Sequence, residues 1–155
     1  MLCPEVLEGG RLVISCTEFI MAYSELFAFI EERHGKETLI RFWEELADEF
    51  LWNLRDLVAA KGLKGMHEYW SHTLAEEGAD DTMTLTDDEF RIEMHGCPSV
   101  AILRRNEHLK PYADYCEHCT VLYRRVIDPF GFKCEMTIHD PASGRCTLRV
   151  TREDE

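Results

Sequence analysis

After Asp81 the spacing of apolar residues changes from steps of three and four to steps of two. The change divides the chain into a helical part, about 1–81, and a strand–helix–strand part, about 82–151. Both fit within one domain of 155 residues. In the first part Phe19, Ile20, Tyr23, Leu26, Phe27 and Ile30 predict a helix over Thr17–His34, capped by Thr17 and ended at Gly35. A longer stripe of Leu39, Trp43, Leu46, Phe50, Leu54 and Leu57 predicts one helix over 37–61. Its apolar face is wide enough to bury against more than one neighbour. Gly62 and Gly65 interrupt the pattern, and a third helix is expected over 65–77 with Met66, Tyr69, Trp70 and Leu74.

In the second part a short strand is expected over 82–86, then a turn over 87–89. Phe90, Ile92 and Met94 then alternate with Arg91, Glu93 and His95. Ser99 is the expected cap of a short helix, and Asp114 of a longer one ending near Ile127, before Pro129 and Gly131. Two further alternating runs carry Phe132, Cys134, Met136 and Ile138, then Cys146, Leu148 and Val150, joined by turn residues over 140–144. The expected fold is α+β: N-terminal helices packed on an antiparallel sheet made of two hairpins, in a single domain. The polar strand faces leave one side of the sheet for solvent or for a homodimer.

Acidic residues number 30 against 17 basic, a net charge of −13. Nucleic acid and anionic membrane surfaces both demand a basic footprint, so neither is an expected partner. No run approaches ~18 apolar residues, so no transmembrane helix is expected. The opening MLCPEVLEGGRLVIS has no basic region followed by a long apolar core, so no signal peptide is expected. The seven cysteines are Cys3, Cys16, Cys97, Cys116, Cys119, Cys134 and Cys146. An odd count without an export signal predicts free thiols and a cytoplasmic setting.

The densest chemistry is Tyr115-Cys116-Glu117-His118-Cys119. Cys116 and Cys119, three apart, share a helix face, and a cap at Asp114 would put them where the helix dipole favours thiolate. His118 lies ~200° round the helix from Cys116, so a regular helix keeps it from a tight site with both thiols. Gly96-Cys97-Pro98 ends a strand and opens a helix, a place that presents a side chain. Arg104 is placed to clamp a carboxylate through a bidentate pair. Tyr115, Tyr123, Trp43 and Trp70 are candidate pocket walls. Beside these stand plain core readings. Cys116, Cys119, Leu122, Tyr123 and Val126 form one apolar stripe, and Cys134 and Cys146 fall on the apolar faces of their strands. A metal reading takes Cys97, Cys116, Cys119 and Cys134 as thiolates for zinc or an iron–sulfur cluster.

The order of Cys97-Pro98, Cys116-Glu117-His118-Cys119, a Gly131-led strand with Cys134 and a final strand with Cys146 resembles the L-2-amino-thiazoline-4-carboxylic acid hydrolase-like family. The resemblance covers about 90–150; the helical half is similar only in layout. The same order is similar to four-vinyl-reductase-type domains that bind small molecules, in which cysteine clusters are associated with metal. The first resemblance implies hydrolytic opening of a small sulfur- or nitrogen-containing ring, with a small-molecule substrate. The catalytic candidates are then Cys97, Cys116, His118 and Cys119, and the substrate-binding candidates Arg104, Tyr115, Tyr123 and Trp70. In that scheme a low-pKa Cys97 or Cys116 attacks the ring, or His118 deprotonates water. The alternative is a sensor domain that binds a small molecule or a metal through the same cysteine cluster.

Overall fold

The computed structural model describes residues 17–152. The expectations for residues 1–15, the Thr17 side-chain cap, Cys3, Cys16 and the tail 153–155 lie outside the described residues. Four helices come first: α1 (Thr17–His34), α2 (Lys36–Phe50), α3 (Trp52–Lys61) and α4 (Leu63–Glu77). The hairpin β1 (Asp80–Leu85) and β2 (Glu89–Gly96) follows, then α5 (Pro98–Arg105) and α6 (Glu117–Ile127). A single 3-10 turn, Asp128–Phe130, leads into the hairpin β3 (Phe132–Asp140) and β4 (Arg145–Arg152). The strands form one antiparallel sheet in the order β1-β2-β4-β3, so the two hairpins join through β2 and β4. The architecture is α+β, with α2, α3, α4 and α6 joined to the sheet's apolar face and α1 and α5 beside them.

The helix expected over 37–61 is two helices. The chain bends at Leu51, with φ −96° and ψ 27°. The hydrogen-bond ladder survives the bend: Leu51 donates to the Ala47 carbonyl at 3.1 Å and accepts from the Arg55 amide at 3.0 Å. Leu51 turns into the core and leaves Phe50 and Trp52 exposed. Asp48 holds the bend from outside, accepting from Arg55 at 3.1 Å and from Arg125 of α6 at 2.8 Å. The Arg125 hydrogen bond keeps the Asp48 carboxyl below its ordinary value.

Gly65 does not break a helix but lies inside α4. A Cβ there would sit 2.0 Å from the Leu57 carbonyl oxygen, so Gly65 is what lets the α3 and α4 backbones touch. Two expected caps also differ. Cys97, not Ser99, precedes α5, with Pro98 in its first turn. Asp114 lies in a turn ahead of α6, and its carboxylate pairs with Lys36 at 3.2 Å. Lys36 lies far away in sequence, so its demand for a counter-ion overrides the local capping preference.

The buried side chains form two clusters. One joins α2, α3, α4 and α6 to the inner sheet face, around Leu54, Met66, Trp70, Phe90 and Val150. The other joins α1, α2, α5 and the segment before α6, around Phe27, Leu39, Trp43, Leu103 and Tyr115. Phe27 and Trp43 meet edge to face at 5.3 Å, which fixes α1 against α2. No helix among the described residues is long and apolar enough to cross a membrane.

Candidate functional site

A cleft of about 250 Å³ opens where the second buried cluster reaches the surface. Its walls come from α5 (Val100, Leu103, Arg104), from the segment before α6 (Tyr112, Tyr115, Cys116) and from the β3–β4 turn (Ala142). Arg104, in the last turn of α5, stands exposed on the rim and donates through Nη1 to the Ala142 carbonyl. That bond spends one of five guanidinium donors and steadies the head beside the opening.

The turn that carries Ala142 is fixed by a close approach. Gly144 has φ +70°, and a Cβ on it would lie 2.4 Å from the Cys97 Cβ. The Cys97 amide also donates to the Ser143 carbonyl at 3.3 Å. Only glycine lets the turn press against the start of α5, which sets Ala142 beside Arg104 at the cleft.

The wall residue Tyr112 is held from several sides. Its amide donates to Ser24 Oγ at 2.8 Å, and its hydroxyl donates to the Glu31 carboxylate. Lys36 Nζ donates to the Tyr112 oxygen at 2.8 Å and pairs with Glu117 at 2.7 Å. Burial, then the Glu31 carboxylate, pushes the Tyr112 phenol up to about 12. Burial works against the Lys36 charge, but Glu117, Tyr112 and Asp114 outweigh it and hold the ammonium above its ordinary value. Sequence reading missed this network because Lys36 and Tyr112 lie 76 residues apart.

Cys116 lines the cleft, half-buried at the entry to α6. The expected thiolate is corrected. Burial, followed by the nearby Cys119 and Cys97 thiols, pushes the Cys116 thiol up to about 11. Burial likewise raises Cys97 and takes Cys119 up to about 12. Desolvation in an apolar setting exceeds what the helix end supplies, so these thiols carry protons at neutral pH.

His118 is not placed as a base for Cys116. Its Nδ1–H donates to the Tyr115 carbonyl, which leaves Nε2 to accept from the Cys119 thiol at 3.6 Å. The ring packs among Tyr115, Phe27 and Trp43, with centroids at 4.7, 5.4 and 6.4 Å. Burial keeps its pKa below the ordinary value, so the imidazole is neutral and part of the packing.

The set Cys97, Cys116, Cys119 and Cys134 is not brought together. Cys134 pairs with Val150 in the β3–β4 register, whereas Cys146 pairs with Ile138. Four residues of strand separate the two positions, ~13 Å. The Cys134 amide donates to Asp128 at 3.0 Å, at the far end of the sheet from Cys97. Cys146 instead lies within electrostatic reach of Cys119, Cys97 and Cys116, and burial pushes it up to about 12. Among the described residues no group of three or more His, Cys, Asp or Glu side chains is arranged to hold a metal ion.

Trp70 and Tyr123 do not line the cleft. Trp70 stacks on Phe90 at 5.5 Å and meets Tyr123 edge-on at 5.2 Å, over the sheet. Burial holds the Tyr123 phenol well above its ordinary value. Trp70 of α4 is core and Tyr123 of α6 packs partly buried against it, because the inward faces of both helices look to the sheet. Of the expected residues, Arg104, Tyr115 and Cys116 share the cleft. Tyr112 and Ala142 complete it; Ala142 falls in the turn expected over 140–144, but nothing in the sequence marked either as a wall residue. No family model, curated protein or solved structure matches this chain.

Proposed function

We propose that the cleft binds a small carboxylate-bearing molecule. Arg104 meets the carboxylate, Tyr115 and Leu103 flank the apolar part, and the protonated Cys116 thiol faces the ligand. The observation that carries this reading is the sharing of one cleft by Arg104, Tyr115 and Cys116. A guanidinium with spare donors beside an apolar wall suits an anion attached to a small ring. The resemblance at Cys97-Pro98 and Cys116-Glu117-His118-Cys119 supports a ring of the 2-amino-thiazoline-4-carboxylate type. Free thiols support a reducing, cytoplasmic setting.

The test is calorimetric titration of the full chain with L-2-amino-thiazoline-4-carboxylate. Saturable binding is expected, weakened at least ~10-fold by Arg104→Gln. Absence of heat up to ~10 mM ligand, or equal binding by the variant, would contradict it.

Hydrolytic ring opening is the second reading, and one observation favours it. Cys116 lines the cleft as a neutral thiol, placed to hydrogen-bond a ring sulfur as it departs. Water would add its oxygen to the C=N carbon and one proton to the ring nitrogen, the C–S bond would break, and the departing sulfur would take the second proton of the water. Release of one free thiol per ligand, slowed by Cys116→Ala with binding retained, is the expected outcome.

A further inference from the structure

We propose that the outer face of α1 docks a basic amphipathic helix of another protein. Phe19, Ala22, Leu26 and Phe29 recur at i, i+3, i+7 and i+10 of α1, and all four are exposed. Phe19 is 70% and Phe29 52% accessible, unusual for aromatics on so regular a stripe. This spacing is the seam along which two helices pack knobs into holes. The opposite face of α1 is already used, since Phe27 and Ser24 are buried against α2 and the Tyr112 segment. Phe19 and Leu26 belong to the periodic set that predicts α1; the structure leaves them outside, because the apolar set is wider than α2 and α5 can cover.

Charge selects the occupant. Glu18, Glu25 and Glu32 stand seven apart along one edge of the stripe. None of the three forms an ion pair with any described residue. Asp48, by contrast, has Arg55 and Arg125, and Glu117 has Lys36. A row of uncompensated carboxylates beside an apolar seam complements Lys or Arg beside a matching apolar seam. A second copy of this chain would bring another net charge of −13 and another glutamate row. The partner therefore carries its basic residues on the edge that faces Glu18, Glu25 and Glu32.

Two fluorescein-labelled model helices serve as probes. Both carry the same leucine stripe; one is flanked by Lys and the other by Glu. Anisotropy titration of the full chain is expected to give micromolar binding of the Lys helix and at least ~10-fold weaker binding of the Glu helix. Leu26→Glu with Phe29→Glu adds negative charge, so adhesion by charge alone would strengthen, whereas docking on the seam weakens at least ~10-fold. Glu25→Lys with Glu32→Lys keeps the seam and is expected to reverse the preference between the probes. Equal or tighter binding of the Lys helix by the first variant, or no reversal by the second, would overturn the proposal. So would a self-associated chain that the first variant disperses, since a second copy would then be the occupant.

Discussion

A thiol beside a helix start feels two opposing effects: free amides favour thiolate, and burial among apolar groups favours S–H. At Cys116 burial wins, and the thiol rises to about 11. Against an ordinary thiol near ~8.5, its thiolate fraction at pH ~7.5 is roughly 300-fold smaller. Iodoacetamide labelling of the folded chain, read peptide by peptide, is expected to modify Cys116 at least ~100-fold more slowly than free cysteine. Labelling at the free-cysteine rate would return Cys116 to the role of nucleophile. His118 follows the same logic with the opposite charge. Burial lowers its folded pKa, so between that value and the unfolded ~6.5 the unfolded chain binds more protons. Stability from this residue is complete above pH ~6.5 and falls as pH drops below it. Urea midpoints from pH ~7.5 to ~5 are expected to fall for the wild type and to flatten for His118→Gln. The sequence singled out both residues as candidates. Their protonation was not legible, because it depends on walls supplied by Phe27 and Trp43 from other helices.

At the scale of elements, periodicity located β2, β3 and β4 because each shows one apolar face, and α1 because its apolar residues recur at steps of three and four. It missed the bend at Leu51 because the apolar stripe runs on without a Gly or Pro. The break shows only in three dimensions, where Leu51 and Leu54 must enter the same core. Gly65 misled in the other direction: a residue that reads as a helix breaker is a contact point inside a helix. Gly65→Ala is therefore a packing test. Its Cβ would meet backbone at 2.0 Å, which no rotamer can relieve, so α3 and α4 must move apart. A loss of ~3 kcal/mol or more in urea unfolding is expected. A neutral or stabilising effect, as for an ordinary glycine within a helix, would show that the two backbones are not in contact.

Across the whole molecule, the sheet carries one buried cluster, and α1, α2 and α5 build a second beside it. The cleft lies on the second cluster, where the turn pinned by Gly144 meets α5. Arg104, Tyr115 and Cys116 were legible because each sits next to a local signal. Tyr112 and Ala142 were not, because only the packing of α1 and of the β3–β4 turn brings them there. The thiol set was misread for the same reason: strand register, invisible in a single sequence, puts Cys146 near Cys97 and sends Cys134 to the other end. The proposed ligand site in this cleft is checked by an amide nitrogen–proton correlation titration with L-2-amino-thiazoline-4-carboxylate. Saturable shifts are expected, confined to Leu103, Arg104, residues 112–116 and Ala142. Shifts centred on the Trp70–Tyr123 region, or none up to ~10 mM ligand, would contradict it.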